Sequence, residues 1–305
     1  MNPNPVPPDP RDTDPLWPRL RERARRRLSR TFKRLIRPFW MQRLDRLNRQ
    51  ADAPLLDPAG PVVSLTSYGD RLPWVHYTIE SIGEGARKPS RIVLWIDDGL
   101  LRKGLPPSLQ RLVRRGLEVR GTRDVGPHTK YLPQVLSHPE PDRPLITADD
   151  DVLYPRYWLA SLVEAHDATP DQIVCFRAHR IDFDASGALK PYAQWPACRG
   201  TSPHQRNFLT GVSGVLYPVS MQNVLRECGY AFEDCCPRND DIWLTATAWR
   251  HGIPIRQIVP FGRAFYNLPG TREQGLARHN VQGGANDVQL RATFSPEELA
   301  RLRQA

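Results

Sequence analysis

The chain has 305 residues, of which 40% are hydrophobic and 25% charged, with a formal net charge of +10. This length predicts one large α/β domain with appendages. No stretch approaches the roughly 18 apolar residues of a transmembrane helix, and the N-terminus lacks the apolar core of a signal peptide. Five cysteines without CxxC spacing argue against a disulfide framework and a structural zinc site. We therefore expect a cytoplasmic protein with reduced thiols.

The positive charge is concentrated near the N-terminus. Residues 17–49 contain thirteen Arg or Lys against Glu22 and Asp45, a net charge of +11 that leaves −1 for the rest. Apolar residues recur at helical spacing beneath the arginines, which predicts a basic amphipathic helix over residues 17–50. Such a helix suits an anionic membrane surface, where each basic residue contributes about 1 kcal/mol. The alternative is an apolar stripe packed on the protein; no nucleic-acid-binding motif accompanies the charge, so nucleic acid is not expected as a partner.

The rest of the chain divides by composition. Residues 1–16 contain six prolines and predict a disordered tail, and residues 51–60 predict a linker. From residue 61, short apolar strands alternate with helices, which predicts a right-handed parallel arrangement. The predicted strands start in VVSLTSYG (62–69), RIVLWIDDG (91–99), LEVRGTRDV (117–125) and RPLITADDD (143–151), and the predicted helices are 75–84, 107–116 and 157–168.

The C-terminal half is less regular. QIVCFRAHRI (172–181) and IPIRQIV (253–259) predict strands, FLTGVSGVLYP (208–218) predicts a strand or hairpin, and DDIWLTATAWRHG (240–252) predicts a helix. Near the end, Ser295, Pro296 and Glu298 predict a helix that opens with a capping box.

Polar residues follow three of the predicted strands. In open parallel sheets, ligands bind beyond the carboxyl ends of the strands, so these residues predict one polar crevice. They are Thr66, Ser67 and Tyr68 after the first strand, Asp97 and Asp98 after the second, and Asp149, Asp150 and Asp151 after the fourth.

The aspartate triplet is the strongest candidate for metal binding. In an extended segment Asp149 and Asp151 project to one side and Asp150 to the other. Two carboxylates facing together can hold Mg²⁺ or Mn²⁺, which would stabilise charge on a phosphate leaving group. The alternative is an Asp-rich turn that caps the helix beginning near Tyr157.

A second acidic pair opens the helix predicted at residue 240. Asp240 and Asp241 follow Asn239, and a carboxylate at a helix start is favoured by the macrodipole by about 0.3–1 kcal/mol. The functional alternative is a general base that takes the proton from an attacking hydroxyl. A metal-bound pair and a separate base are what displacement of a nucleoside diphosphate requires.

The segments VVSLTSYGDR, IVLWIDD, LITADDDVLYP, TGVSGVLYP and NDDIWL together resemble the nucleotide-sugar glycosyltransferases of the GT-A fold, particularly family-2-like bacterial enzymes of surface polysaccharide synthesis. The resemblance covers residues 61–270, and residues 271–305 would form a C-terminal loop and helix. It implies a Rossmann-like mixed sheet flanked by helices.

The resemblance also implies roles for individual residues. Asp149 and Asp151 match the aspartates that contact the metal and the donor diphosphate, and Asp150 lies near the ribose. Either Asp240 or Asp241 matches the catalytic base of an inverting enzyme. The remaining implied contacts are Asp97 or Asp98 to the nucleoside, Thr66 to Tyr68 lining the base pocket, and His279 completing the metal site. In GPHTKYLPQ, where the family often has glycines, Lys130 is a candidate partner of the diphosphate, assisted by His128.

These observations predict a metal-dependent, inverting enzyme that transfers a sugar from a nucleotide-sugar donor to a hydroxyl of a glycan or lipid-linked acceptor. Mg²⁺ or Mn²⁺ is the expected cofactor, and residues 17–50 are expected to hold the enzyme at the inner face of the plasma membrane. One alternative is a metal-dependent phosphoesterase or nuclease that uses the same aspartates. The other is an inactive, membrane-attached glycan-binding protein.

Overall fold

The computed structural model describes residues 36–269 and 284–305. Residues 46–305 contain one compact unit, and the described residues before Arg46 belong to a separate one. The predicted disordered tail, the segment 17–35 and His279 lie outside the described residues. No helix of the described part is long and apolar enough to span a bilayer.

Helices and strands alternate along the first half of the described chain, as the sequence predicts. The helices are α1 (36–50), α2 (Val75–Gly83), α3 (Asp98–Arg102), α4 (Pro107–Arg114), α5 (Leu132–Ser137), α6 (Trp158–Asp167), α7 (Val219–Cys228), α8 (Asp240–Arg250), α9 (Ala285–Thr293) and α10 (Pro296–Gln304). The strands are β1 (Val62–Thr66), β2 (Arg91–Asp97), β3 (Leu117–Thr122), β4 (Leu145–Ala148), β5 (Val152–Leu153), β6 (Ile173–Cys175), β7 (Ala178–Arg180), β8 (Asn207–Leu209), β9 (Val215–Tyr217), β10 (Ile255–Gln257) and β11 (Tyr266–Asn267).

A seven-stranded mixed sheet with the order β3-β2-β1-β4-β9-β6-β10 forms the centre. All neighbours are parallel except β9, which runs antiparallel to both β4 and β6. Two small antiparallel sheets, β5-β11 and β7-β8, lie outside it. The predicted α/β class, a largely parallel mixed sheet flanked by helices, is confirmed.

Both faces of the central sheet are buried, which explains the uninterrupted apolar strand sequences. In β2, Val93 and Trp95 pack in one core while Ile92, Leu94 and Ile96 pack in the other. This alternation follows from the two-residue period of a strand. Helices must therefore cover both sides of the sheet.

Two predicted strands each divide into two. Residues 172–181 form β6 in the central sheet and β7 in a small sheet. Residues 208–218 likewise contribute to β8 and β9, which are separated by a turn in which Ser213 has φ 79° and Gly214 has φ 90°. A left-handed residue ends strand pairing, so the chain changes sheet there.

The strand order changes direction between β1 and β4, which is where open α/β sheets bind ligands. Chain connections run outward from β1 through β2 to β3, and then return to β4 on the other side of β1. At such a switch point the loops beyond the strand ends diverge and leave an opening. The loop after Thr66 and the aspartates after Ala148 both border this opening.

Candidate active site

The three consecutive aspartates lie in the turn between β4 and β5. Ser67 donates a hydrogen bond from Oγ to Asp150 Oδ2 at 2.7 Å, and Arg71 Nη1 donates to Asp150 Oδ1 at 2.7 Å. Arg71 Nη2 also lies 3.4 Å from Asp151 Oδ2. The expected separation of Asp150 from its neighbours is therefore wrong, because alternation needs an extended backbone and these residues form a turn.

Asp150 serves the structure of this turn. Its side chain is buried, both its oxygens accept hydrogen bonds, and its backbone carbonyl accepts from Thr78 Oγ1 at 2.9 Å. Burial raises the pKa of Asp150, and Arg71 opposes that shift. The ribose contact implied for Asp150 stays a prediction, and only 6% of this side chain is exposed to a ligand.

Helix capping does not explain the triplet. The N-cap residue of α6 is Tyr157, and no side chain accepts a hydrogen bond at that helix start. The backbone N–H of Asp149 donates to Tyr154 Oη at 2.9 Å. Its carboxylate contacts Lys130 and not a helix N-terminus.

Lys130 joins the triplet to the acidic pair of α8. Its Nζ lies 3.3 Å from Asp149 Oδ1 and 3.2 Å from Asp240 Oδ2. Burial lowers the pKa of Lys130, but the two carboxylates outweigh burial and the net shift is upward, so the ammonium stays charged. Asp149 and Asp240, which are 91 positions apart in the chain, are thereby held around one cation.

Asp240 and Asp241 differ in their surroundings. Asp240 is buried against Lys130, whereas Asp241 is half-buried and accepts a hydrogen bond at Oδ1 from the Gly211 amide at 2.7 Å. Burial, followed by the charge of Asp240, raises the pKa of Asp241. A half-buried carboxylate with a raised pKa suits general-base chemistry near neutral pH.

Neither aspartate is needed to cap α8. Asn239 is the N-cap and accepts from the Ile242 amide at 3.2 Å. Asp240 and Asp241 lie in the first turn of α8, where the macrodipole favours a carboxylate, but the side-chain cap is supplied by Asn239.

Asp149 and Asp151 offer the oxygen ligands that a hard divalent cation prefers, and each is paired with a basic side chain, Asp149 with Lys130 and Asp151 with Arg71. Asp149 and Asp151 keep 24% and 14% of their side chains exposed, so carboxylate oxygen is accessible in the crevice. Within residues 36–269 and 284–305, no three His, Cys, Asp or Glu side chains are grouped to hold a metal by themselves. Mg²⁺ typically binds through one or two carboxylates plus substrate phosphates, so two carboxylates suffice when a diphosphate is bound.

The loop after β1 presents one exposed aromatic ring. Thr66 Oγ1 donates to the Trp95 carbonyl at 2.9 Å and Ser67 is buried, whereas Tyr68 is 47% exposed with the Arg71 guanidinium 5.2 Å from its ring centroid. Of the three residues expected to line a base pocket, Tyr68 alone has its side chain open to a ligand.

The two aspartates after β2 are exposed. Asp97 caps α3 by accepting from the Gly99 amide at 2.8 Å, and Asp98 begins that helix. Both lie at the carboxyl end of the strand next to β1, on the same edge of the sheet as the triplet.

His128 lies in the core. Its Nε2 is 2.9 Å from the Cys236 carbonyl, its Nδ1 is 2.9 Å from Tyr131 Oη, and its ring stacks on Phe232 at 3.7 Å. Burial lowers the pKa of His128 to about 4, so the ring is neutral at physiological pH. An assisting role at the diphosphate does not fit, because both ring nitrogens are engaged away from Lys130.

Sequence reasoning missed Arg71 and Gly211. Arg71 stands in the quoted segment VVSLTSYGDR, and its signal was the need of a buried carboxylate for a cation nearby. Gly211 brings a backbone amide to Asp241: a Cβ there would lie 3.1 Å from Asp241 Oδ1 and 3.3 Å from Lys130 Nζ. A glycine in TGVSG predicts that another group approaches the backbone closely, but the sequence does not identify that group.

No protein-family model matches the sequence, and no curated protein matches it. Among solved structures, the chain is similar to Staphylococcus aureus TarS 1–349, at 13% identity over 79% of this chain and 68% of that one, with a TM-score of 0.47. It is also similar to mannosyltransferase PcManGT from Pyrobaculum calidifontis in complex with GDP-Man and Mn²⁺, at 15% identity over 87% and 75% and a TM-score of 0.48.

A third similar structure is CMP:2-keto-3-deoxy-manno-octonic acid synthetase complexed with CTP, at 13% identity over 72% of this chain and 97% of that one, with a TM-score of 0.43. At these identities and scores, similarity does not identify the chemistry of this chain. Its own residues have to carry that assignment.

Proposed function

We propose that the protein is a glycosyltransferase that moves a sugar from a nucleotide-sugar donor to a hydroxyl of a glycan or lipid-linked acceptor, with inversion, in surface polysaccharide synthesis. The observation that carries the proposal is the position of Lys130. It brings Asp149 and the Asp240/Asp241 pair to one crevice at the switch point of the sheet. Transfer needs a diphosphate site and a base within one substrate length of each other.

The donor would lie across the ends of β1, β2 and β4. Tyr68 stacks on the base, Asp97 or Asp98 accepts from the nucleoside, and Asp149 and Asp151 hold Mg²⁺ or Mn²⁺ against the diphosphate. The bound cation supplies Lewis-acid stabilisation of the leaving group. Lys130 adds a fixed positive charge next to the diphosphate. This charge stabilises the diphosphate both before and after its bond to the sugar is cleaved.

Asp241 would act as the base. The Gly211 amide fixes its Oδ1, and the other oxygen accepts the proton from the acceptor hydroxyl as that hydroxyl attacks the sugar. Asp240 keeps the Lys130 ammonium between the two acidic groups. Attack from the Asp241 side with departure on the Asp149 side predicts inversion at the sugar carbon.

The test is a thermal-shift screen of nucleoside diphosphates and nucleotide sugars with and without Mn²⁺. Ligands that bind only the folded state raise the melting temperature in proportion to ln(1 + [L]/Kd). We expect a shift for one nucleotide class that grows with Mn²⁺. Absence of any shift, together with salt-dependent DNA binding, would favour the phosphoesterase or nuclease alternative.

Asp151→Asn provides the first variant for this screen. This substitution removes one carboxylate charge from the proposed cation site and keeps the shape of the side chain. We therefore expect loss of the Mn²⁺-dependent part of the thermal shift and loss of sugar transfer. The melting temperature of the free protein should be unchanged. The matched control is Asp142→Asn, an exposed aspartate paired with its neighbour Arg143. Full transfer by Asp151→Asn would overturn the proposed metal site.

The basic segment 17–50 is proposed to hold the enzyme at the inner face of the plasma membrane, where lipid-linked acceptors lie. The support is its net charge and helical apolar spacing, together with the helix that the structure has over residues 36–50.

A further inference from the structure

Six arginines of the C-terminal half lack an ion pair among the described residues. Arg177 lies between β6 and β7, Arg180 ends β7, Arg199 and Arg206 lie between β7 and β8, Arg256 lies in β10 and Arg263 in the loop after it. None of them forms an ion pair with a carboxylate of the described residues. Elsewhere in the crevice the cations Arg71 and Lys130 are each shared by two carboxylates.

The backbone of Arg177 is connected to Asp241 through residues 210 and 211. Its backbone carbonyl accepts from both the amide and Oγ1 of Thr210, each at 3.2 Å. The next residue, Gly211, donates its amide to Asp241. Arg177 is thus held two backbone hydrogen-bond steps from the carboxylate that receives the acceptor proton.

Tyr192 lies within electrostatic reach of both charges. Burial raises the pKa of the Tyr192 phenol, Asp241 raises it further and Arg177 lowers it. The Tyr192 ring lies 5.8 Å from the ring of His179, and the Arg177 guanidinium contacts that same His179 ring.

The local contacts of Arg177 leave its charge uncompensated. Its Nη2 lies 3.2 Å from His179 Nε2, a contact in which the neutral ring accepts a hydrogen bond and contributes no negative charge. The backbone at Gly262 covers the aliphatic part of the side chain, since a Cβ there would lie 3.0 Å from Arg177 Cγ. A half-buried cation without an anion carries a desolvation cost that an incoming anion would offset.

The backbone of Arg263 lies beside the residue that precedes Arg177 and beside Ser213. Its amide donates to the Phe176 carbonyl at 3.1 Å, its Nη1 donates to Tyr157 Oη at 3.0 Å, and its carbonyl accepts from Ser213 Oγ at 2.7 Å. The side chain is exposed but its backbone is fixed on both sides, next to the residue that precedes Arg177.

We infer that the acceptor carries an oxyanion, a phosphate or a carboxylate, next to the hydroxyl that receives the sugar, and that Arg177 and Arg263 bind it. This inference rests on the proposed function, because the hydroxyl has to reach Asp241. A planar guanidinium donates two parallel hydrogen bonds to either oxyanion. The arrangement separates two anion sites, with the donor diphosphate at Lys130 and the acceptor oxyanion at Arg177.

The experiment measures binding of inorganic phosphate by calorimetry, with the donor site saturated by the nucleoside diphosphate found in the thermal-shift screen. We expect wild-type protein to bind phosphate, and Arg177→Ala and Arg263→Ala each to weaken that binding about tenfold. Arg114→Ala, which removes an exposed arginine of α4 beside β3, is the charge-matched control and leaves binding unchanged. Acetate in place of phosphate distinguishes the two oxyanions.

Equal phosphate binding by wild type and Arg177→Ala would overturn the inference. Arg177→Lys keeps the positive charge but lacks the paired N–H donors of a guanidinium. This variant replaces Arg177→Ala in the comparison if Arg177→Ala melts at a lower temperature than wild type. We expect it to bind phosphate with an affinity between those of wild type and Arg177→Ala. If no nucleoside diphosphate binds, the proposed function fails, and the same titration without nucleotide still compares wild type, Arg177→Ala and Arg114→Ala. The two failures are therefore distinguishable.

Discussion

At the residue scale, the two aspartates that open α8 have separate tasks. Asp240 is buried with Lys130, and Asp241 is half-buried with one oxygen fixed by Gly211. We expect Asp241→Asn to lower the transfer rate about 10²–10⁴-fold, the range for loss of a general base, while the nucleotide still binds. Asp240→Asn should change nucleotide binding as well, because it removes one of the two carboxylates that hold Lys130 in place. Equal effects on binding and rate in both variants would contradict this division.

The raised pKa of Asp241 sets the expected pH dependence. The ionised carboxylate is the active form, so kcat/KM should fall as pH drops through this pKa. Because burial and Asp240 shift it upward, the fall should lie at higher pH than an ordinary aspartate would give. A pH–rate profile from pH 5 to pH 9 checks this prediction. In Asp241→Asn the fall of kcat/KM at low pH should be absent.

Gly211 tests how closely the base has to be positioned. In Gly211→Ala the added methyl meets Asp241 Oδ1 at 3.1 Å and Lys130 Nζ at 3.3 Å. We expect the two side chains to separate and transfer to fall roughly 10- to 100-fold, as small misplacements of reacting groups do. The backbone at residue 211 is not left-handed, so the melting temperature should change little. A variant with full transfer would show that the Gly211 contact is dispensable.

At the element scale, sequence reasoning succeeds where one periodicity governs a segment. The β2 strand and the capping box of α10 were predicted and are found, because burial on two faces and a fixed Ser–Glu spacing are local signals. The turn at Asp149 was predicted only as the alternative to an extended segment, and the division of residues 172–181 between two sheets was not predicted. Both are decided by distant partners, Arg71 and β8, which a local pattern does not contain. Helices α7 and α9 were not predicted either.

The last turn of α1 is attached to the domain by Asn48. Its Nδ2 donates to Glu80 Oε1 at 3.0 Å, its Oδ1 accepts from Arg111 Nε at 2.9 Å, and Arg115 Nη1 also donates to Glu80 at 2.6 Å. We expect Asn48→Ala to lower the free energy of unfolding in urea by about 1–3 kcal/mol, since Glu80 and Arg111 each lose a hydrogen-bond partner.

The control for Asn48→Ala is Asn223→Ala. Asn223 Oδ1 accepts a single hydrogen bond from Arg226 within α7, and its side chain is half-buried. Its loss should change the unfolding free energy by less than about 0.5 kcal/mol. Similar values for both variants would show that the Asn48 network does not stabilise the domain.

At the scale of the whole molecule, most of the positive charge of the N-terminal segment lies before residue 36. Residues 17–35 hold nine of the thirteen basic residues of the N-terminal segment, and residues 36–50 hold four. Asn48 in the second part contacts the domain, so a truncation at residue 50 would mix loss of charge with loss of stability. Removal of residues 1–35 separates the two.

The truncated protein is therefore the sharper test of membrane attachment. With each basic residue near an anionic surface contributing about 1 kcal/mol, loss of nine should abolish cosedimentation with vesicles of mixed anionic and zwitterionic lipid at low salt. Transfer to a soluble acceptor and the melting temperature should stay as in the full chain, because the crevice and the Asn48 contacts lie outside the deleted residues. Vesicle binding that persists at the full-length level would place the attachment elsewhere, and binding lost only together with transfer would show that the segment serves the active site.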